Sequence, residues 1–273
     1  MDSLVLLQNN FYKNGSSILT QTLQQLTKKL NIQTDEIKTI QLGNKLLSLD
    51  ESYYINLISL LTQVSKDGNK LIIYDSQSLI EIIKLFKKLY EDSDFKEDLE
   101  QSIKQSIDVI SLENTIKFIP EIILQALNQN IDSINIGRWN GFKCGFIIDR
   151  ELEGLIKELK ILEQLELTTG LKILPFFSES YDYLLSTNEE LAYKMASKIY
   201  YEMVDSGIDF IMSVNIGNFE LFDTHALELK KATHRDDENI PVLFIPQVIL
   251  ALFKDSNKES LLFNKHKITP QML

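Results

Sequence analysis

Two pairs of polar residues, each with one residue three positions after the other, follow apolar runs that are typical of buried strands. The pairs are Asp75 with Ser78, after the run 71–73, and Asn215 with Asn218, after the run 210–212. Side chains just past the carboxyl ends of parallel strands line the usual ligand edge of an open sheet. The four residues could therefore supply polar contacts to a small organic molecule, but none of them is a poised base or nucleophile.

Other candidates for chemistry are weaker. The sequence contains no P-loop, GxGxxG, GxSxG or HExxH motif. The histidines His225, His234 and His266 lack zinc-like spacing, and surface or polar contacts explain them better than metal ligation. The only cysteine, Cys144, lies in an apolar run, where a thiol usually behaves as a small buried hydrophobe. Helix starts and solvated turns explain the many carboxylates, although a hidden acid–base pair stays open.

Composition limits the partners and the location of the protein. The 273 residues carry a net charge of −11, which repels nucleic acid and anionic membranes on average. The apolar run 242–253 is interrupted by Pro246 and Gln247 and is shorter than the roughly 20 residues that span a bilayer. The apolar N-terminal run 4–7 has no basic lead, and a single cysteine permits no internal disulfide. We expect a cytoplasmic protein that binds no nucleic acid and inserts into no membrane.

Short apolar runs alternate with amphipathic stretches along the chain, which predicts an α/β fold with mostly parallel strands flanked by helices. The predicted strands are residues 4–7, 36–42 and 71–73 in the first half and 144–148, 171–174 and 210–212 in the second. The predicted helices are residues 18–30, 54–61 and 79–89 in the first half and 152–162 and 191–203 in the second. The last of these is expected to bury Leu191, Met195, Ile199 and Met203.

This order of elements recurs at an offset of 138 to 140 residues. The matching features are the first strand, a helix-capping box (residues 48–51 and 186–189), a glycine (Gly68 and Gly207) and the third strand. Each half is also expected to close with a strand and a helix, 109–112 before 116–127 and 242–245 before 248–253. The pattern predicts two similar tandem modules, 1–135 and 136–273. Generic α/β periodicity is the alternative explanation.

Several segments are more specific than this periodicity. They include residues 184–196, 207–211, 240–247 and 264–270, with Leu184-Leu185-Ser186-Thr187-Asn188-Glu189 and Pro241-Val242-Leu243-Phe244-Ile245-Pro246-Gln247 as the clearest, and residues 68–79 and 89–99 in the first half. Together they resemble the HdrB subunit of heterodisulfide reductase over nearly the whole chain. The resemblance implies two tandem modules whose CCG and CxxC cysteines bind iron–sulfur clusters and serve thiol–disulfide electron transfer.

The resemblance places the family's cysteines on residues that carry no sulfur. The paired cysteines align with Phe176 and Phe177, the CxxC pairs with Asn215 and Asn218 and with Asp75 and Ser78, and others near Asn9, near Gly43 and near Asp149 or Arg150. Cys144 aligns with the strand before a family cysteine. Because these clusters need several thiolates, neither the cluster nor its redox activity carries over, and we expect no cofactor and no metal. We expect Phe176 and Phe177 to fill the cluster space with apolar bulk.

The resemblance and the missing ligands favour a cofactor-free, non-catalytic relative that is a structural or regulatory partner of an iron–sulfur or flavin redox protein. The alternative is a small-molecule-binding protein or an enzyme that uses the vacated cluster cavity. A redox subunit that borrows ligands from a partner chain is least favoured, because almost no sulfur remains to share.

Overall fold

The computed structural model describes residues 4–8, 12–32, 36–39, 51–235 and 239–272. Within these residues the chain forms two four-stranded sheets in which every strand pairing is parallel. The strands are β1 (Leu4–Gln8), β2 (Glu36–Thr39), β3 (Lys70–Ile73), β4 (Ile116–Phe118), β5 (Lys143–Asp149), β6 (Lys172–Ser178), β7 (Phe210–Ser213) and β8 (Val242–Phe244). The sheet orders are β2-β1-β3-β4 and β6-β5-β7-β8. The predicted α/β class with two similar parallel-sheet modules is confirmed.

Helices connect the strands of both sheets. They are α1 (Lys13–Lys29), α2 (Glu51–Lys66), α3 (Ser76–Glu91), α4 (Ser93–Ile103), α5 (Val109–Thr115), α6 (Ile119–Gln129), α7 (Glu153–Glu158), α8 (Ile161–Thr169), α9 (Glu189–Asp205), α10 (Ile216–Phe219), α11 (Ala226–Thr233) and α12 (Ile245–Leu250). A π-helical turn over Glu220–Thr224 joins α10 to the segment before α11. Among the described residues, no helix is both long enough and apolar enough to cross a bilayer.

The strands next to the first strand of each sheet are buried on both faces. Leu71, Ile72 and Ile73 of β3 are fully buried, and the same holds for all four residues of β7. Strands covered by helices on both faces need apolar side chains at every position, so they appear in the sequence as continuous apolar runs. This is why short apolar runs were sufficient to predict both strands.

The chain divides into two compact units, and helix α1 joins the second one. One unit contains Met1–Phe11 and Gln33–Ile122, and the other contains Tyr12–Ile32 and Ile123–Leu273. In the second unit α1 packs against α10 and α12. A Cβ atom added at Gly15 would lie 3.1 Å from Ile216 Cγ2, which shows how closely α1 approaches α10. The modules 1–135 and 136–273 stay a prediction, because compactness reports packing and not descent.

The predicted end of the first half is wrong. Residues 109–112 form part of helix α5 and not a strand, and the closing strand is β4. Asp108 caps α5 by accepting a hydrogen bond from Ser111 N, and this local signal favours the helix. The better sequence signal was a repeated motif, Phe118-Ile119-Pro120-Glu121 in the first half and Phe244-Ile245-Pro246-Gln247 in the second. In both halves the strand ends at this phenylalanine and the helix begins at the isoleucine.

Two details of the second half also differ from the prediction. Ser186 lies in a 3-10 turn, and α9 is capped by Asn188, whose Oδ1 accepts a hydrogen bond from Leu191 N. The matching box at residues 48–51 includes residues outside the described part of the chain. The predicted helix over 152–162 is interrupted at Lys160, whose φ of 50° ends the helical path between α7 and α8.

The buried face of α9 is rotated from the predicted one. Leu191 is 40% exposed, and the fully covered positions are Ala192, Ala196 and Tyr200 together with the predicted Met203. The predicted Met195 and Ile199 are only half-buried. They lie on the border of the buried face, where they line a cavity beside β6.

Candidate functional site

The carboxyl ends of β5, β6 and β7 bring buried polar side chains to one edge of the second sheet. Asp149 ends β5, Ser178 ends β6 and Ser213 ends β7, and all three are at most 8% exposed. Asp149 and Ser178 are register partners in the parallel ladder. The alignment of parallel strands therefore concentrates polar groups at the edge where such sheets usually bind ligands.

Asn215 ties this edge together. Its Oδ1 accepts a hydrogen bond from Asn218 N at 2.9 Å and so caps α10. Its Nδ2 donates to Oδ1 and Oδ2 of Asp149 at 3.0 and 2.9 Å. Asn215 N donates to Ser213 Oγ, and that hydroxyl donates back to Asn215 O. Because both ends of the amide are engaged, Asn215 fixes the end of β5 to the start of α10 and is not free to bind a ligand.

Asn218 is the partner of Asn215 in the predicted pair, and the structure brings the two together. It is 1% exposed, and its backbone N–H is the group that Asn215 caps. Its Nδ2 is buried without a hydrogen-bond partner among the described residues. A buried donor of this kind costs about 1–3 kcal/mol.

The pair Asp75 and Ser78 has the same arrangement in the first unit. Asp75 caps α3, and its Oδ2 accepts hydrogen bonds from Ser78 N and Ser78 Oγ, both at 3.1 Å. Both residues are 2% exposed. In each unit the first residue of the pair is therefore a helix cap and the second provides the capped N–H. The predicted small-molecule contacts are instead hydrogen-bonded within each pair.

Phe176 and Phe177 lie on β6, an edge strand, and both are only half-buried. The expectation that they fill a closed space is wrong, because one side of an edge strand has no neighbouring strand to cover it. Their rings instead line a cavity of about 450 Å³. Its lining residues are Arg150, Pro175, Phe176, Phe177, Ser178, Tyr181, Met195, Lys198, Ile199 and Glu202.

Charged groups at the cavity are not neutralised in pairs. Arg150 follows β5 directly, Lys198 projects from α9, and both are exposed. Neither of these cations forms an ion pair with a described residue. A third cation, Lys157, lies with Nζ 5.8 Å from the centroid of the Phe177 ring, although it also pairs with Glu153.

A second polar cluster joins α1 to the α10 region. Tyr12 OH donates to Asp182 Oδ2 at 3.0 Å, and Ser180 Oγ donates to Asp182 Oδ1 at 2.6 Å. Burial and the neighbouring Asp182 carboxylate raise the pKa of Tyr12 far above its ordinary value, so the phenol stays a donor. The sequence analysis missed this cluster, since its members are up to 170 residues apart.

Glu220, Tyr193 and His225 form a partly buried group beside this cluster. Tyr193 OH lies 3.1 Å from His225 Nδ1, and His225 Nε2 lies 3.7 Å from Glu220 Oε1. Burial raises the pKa of Glu220, and the neighbouring His225 opposes this shift. His225 therefore makes polar contacts with protein side chains, as the sequence predicted.

His266 is buried and makes polar contacts, as the sequence also predicted. Its Nε2 lies 2.8 Å from Gln247 Nε2, and its Nδ1 lies 3.5 Å from Asp223 Oδ1. Asp223 in turn accepts hydrogen bonds from the backbone N–H groups of Lys267 and Ile268. The cluster secures the C-terminal segment, and no cavity on the described surface reaches it.

The described residues do not fit an iron–sulfur cluster. The aligned positions offer an amide, a hydroxyl, a carboxylate and two phenyl rings, and the amide of Asn215 and the carboxylate of Asp75 already accept hydrogen bonds. Cys144 is fully buried in β5, and burial raises the pKa of its thiol. The prediction that Cys144 is a buried hydrophobe is confirmed. The aligned positions Asn9 and Gly43 lie outside the described residues.

No group of three His, Cys, Asp or Glu side chains that could hold a metal ion occurs in the described ranges.

Comparisons with known proteins agree with these features. Residues 181–267 match the family described as the HdrB-like C-terminal domain. A hypothetical protein from Helicobacter pylori has a similar structure, with a TM-score of 0.78 and 19% identity over the whole of this chain. This chain spans 53% of that protein, so the similarity shows the fold alone.

A second solved structure is far less similar. The ABC sugar transporter (periplasmic sugar binding protein) from Legionella pneumophila has 9% identity over 99% of this chain and 97% of its own, with a TM-score of 0.33. This match carries no argument about fold or function. No curated protein sequence matches the chain.

Proposed function

We propose that the chain is a cofactor-free relative of the HdrB subunit of heterodisulfide reductase, because residues 181–267 match the HdrB-like C-terminal domain family. It holds no iron–sulfur cluster and performs no electron transfer of its own. Its role is that of a structural or regulatory partner in the cytoplasm, docked on a protein that carries an iron–sulfur or flavin group. The proposed partner follows from the resemblance described above.

One observation carries this proposal: both aligned CxxC positions are occupied by helix-capping pairs. Asp75 with Ser78 and Asn215 with Asn218 make the same cap-to-backbone hydrogen bond in the two units. A capping pair stabilises the start of a helix without any metal. The scaffold around the former ligand positions is thus retained while its chemistry is replaced, which supports a role that depends on shape.

The similar geometry of the two units also supports an origin by duplication. The two sheets share one strand order, and the aligned glycines Gly68 and Gly207 have φ angles of 70° and 68°. Such positive φ angles favour glycine, so the same turn is built by the same residue type in both halves. We include tandem duplication in the proposal.

The absence of a cluster is tested by anaerobic expression with iron and sulfide supplied. We expect colourless protein with less than about 0.1 iron per chain, because the aligned positions lack thiolates. A matched control is the same preparation of a cysteine-rich HdrB protein, which should be brown. Stoichiometric iron and acid-labile sulfide in this chain would overturn the proposal.

The docking role is tested by isolating the tagged chain from its native host under anaerobic conditions. We expect a stoichiometric partner whose absorbance shows an iron–sulfur or flavin group. Size-exclusion chromatography with light scattering should show a mass larger than that of the chain alone. Recovery of the chain as a free monomer, or with a partner that lacks both groups, contradicts the docking role.

A second candidate function is the binding of a small molecule, and the cavity beside β6 favours it. The cavity lies at the ligand edge of the sheet, and its volume of about 450 Å³ is of the size that small-molecule sites have. Thermal unfolding in the presence of a metabolite set tests this candidate, because a ligand that binds only the folded state raises Tm. No rise in Tm with any compound favours docking as the sole role.

A further inference from the structure

We propose that the cavity beside β6 binds a planar organic monocarboxylate, with Arg150 and Lys198 holding the carboxylate. This inference rests on the second candidate function above and names the class of ligand. The cavity is defined by the lining residues given above. No described residue outside this lining is required by the proposal.

The walls of the cavity define the body of the ligand. Strand β6 contributes Pro175, Phe176 and Phe177, and helix α9 faces them with Met195 and Ile199. All but the exposed Pro175 are half-buried, so apolar surface is left uncovered at this site. Flat apolar groups stack on aromatic rings and displace water from such walls. The apolar walls therefore favour a planar hydrocarbon or aromatic body.

The charges at the cavity define the head group. Arg150 and Lys198 have no ion-pair partner in the described part of a chain whose net charge is −11. Unpaired cations in an acidic protein form a local positive region that attracts an anion. An arginine guanidinium matches a carboxylate with two parallel hydrogen bonds. A cation pair at the end of an apolar wall is therefore suited to an amphipathic anion.

Glu202 restricts the charge of that anion. It lines the same cavity from α9, one helical turn after Lys198, and forms no ion pair with a described residue. With Arg150 and Lys198 it leaves the lining with one net positive charge. A single negative charge balances this lining, whereas a dianion such as a phosphate monoester meets repulsion from Glu202. The lining thus selects a monocarboxylate.

Equilibrium dialysis with 2-naphthoate tests the proposal. We expect saturable binding of one molecule per chain, with binding of the neutral isostere 2-naphthamide and of 2-naphthyl phosphate weaker by at least about tenfold. The double variant Arg150→Gln/Lys198→Gln should lose at least about tenfold in affinity for 2-naphthoate. Equal binding of naphthoate and naphthamide, or no binding of naphthoate, would overturn the proposal.

Two further variants keep the test specific. Lys254→Gln/Lys258→Gln removes two exposed charges away from the cavity and should bind 2-naphthoate like the original chain. Met195→Trp places a large ring in the cavity and should abolish binding with an unchanged Tm to within a few degrees. If Lys254→Gln/Lys258→Gln weakens binding as much as the cavity variant, the effect is due to net charge and the proposal is wrong.

The outcome is separable from that of the main proposal. Iron content tests the cofactor-free state without reference to any organic ligand. Failure of 2-naphthoate to bind overturns this inference and leaves the docking role standing, whereas bound iron overturns the cofactor-free state and leaves the dialysis result valid.

Discussion

The side-chain amide of Asn215 donates hydrogen bonds to both carboxylate oxygens of the fully buried Asp149, at 3.0 and 2.9 Å. The two residues are 66 positions apart in the sequence and join the end of β5 to the start of α10. A buried carboxylate is tolerated only when its oxygens are hydrogen-bonded, so Asn215 offsets a cost that Asp149 would otherwise impose. The position that the resemblance assigns to a cluster cysteine therefore has a structural role here.

Replacement of Asn215 should be costly for this reason. We expect Asn215→Ala to lower the free energy of unfolding by about 3 kcal/mol, because it removes a helix cap and leaves Asp149 without two hydrogen bonds. Urea unfolding measures the change. The matched control is Asn188→Ala, which removes the exposed cap of α9 and should cost only about 1 kcal/mol. Equal costs at the two caps would contradict the role of the Asp149 contact.

Exchange between aspartate and asparagine should have opposite effects at the two aligned caps. Asp75→Asn retains an oxygen that accepts from Ser78 N, so its cost should be below about 1 kcal/mol at pH 7. Asn215→Asp places a second carboxyl group about 3 Å from Asp149 and should cost more than about 3 kcal/mol.

The pH dependence distinguishes these two variants. At pH 7 the new carboxyl group and Asp149 repel each other when both are ionised. Lowering the pH protonates one of them, so the stability deficit of Asn215→Asp relative to the original chain should shrink between pH 7 and pH 4. Asp75→Asn should show no such recovery. A deficit of Asn215→Asp that is constant with pH is incompatible with a carboxylate at position 149 as its neighbour.

Gly217 should not tolerate even one added methyl group. A Cβ atom at this position would lie 2.2 Å from Asp182 Cγ, far inside van der Waals contact. We expect Gly217→Ala to lower the free energy of unfolding by about 2–3 kcal/mol, measured by thermal and urea unfolding. Gly154→Ala, where the added Cβ meets nothing within 4 Å, should instead stabilise α7 by up to about 1 kcal/mol.

A double variant tests the cause of that effect. Shortening the opposing side chain in Gly217→Ala/Asp182→Ala removes the clash, so its cost should be smaller than the sum of the two single changes by about 1 kcal/mol or more. Strict additivity would show that Asp182 does not limit the space at Gly217.

The thiol of Cys144 should be unreactive in the folded protein. Burial raises its pKa from the ordinary value of 9.0, so the thiolate required for alkylation is absent at pH 8.5. We expect iodoacetamide to label one thiol promptly in guanidinium chloride and at least about a hundredfold more slowly without it. The same raised pKa means that stability falls as the pH rises above about 9, where only the unfolded thiol ionises. Prompt labelling of the folded chain would contradict the burial of Cys144.

Local patterns were sufficient to predict some elements and not others. The central strands were predictable because burial on both faces requires continuous apolar runs such as 71–73 and 210–212. Strand β4 was missed because it has three residues and its middle position is the polar Lys117. A comparison of the repeated Phe-Ile-Pro segments beginning at Phe118 and Phe244 would have located it.

The candidate site was less predictable than the fold. The resemblance selected Asn215, but nothing in the local pattern pairs it with Asp149, since tertiary packing brings the two strand ends together. The contact of Tyr12 with Asp182 was also unpredictable, because α1 precedes most of the first sheet and yet packs in the second unit. The cavity beside β6 arises from the exposed border of α9, which a helical pattern of apolar residues does not distinguish from its buried face.

The placement of α1 in the second unit has a consequence for synthesis on the ribosome. Tyr12 leaves the exit tunnel long before Asp182, 170 residues later in the chain. At translation rates of roughly 5–20 residues per second, the helix waits on the order of 10–30 s for the surface that it covers. Throughout this interval Ile18, Leu19, Leu23 and Leu26, which are covered in the folded protein, have no native surface to pack on. The nascent chain is therefore expected to depend on a holding chaperone until the second sheet is complete.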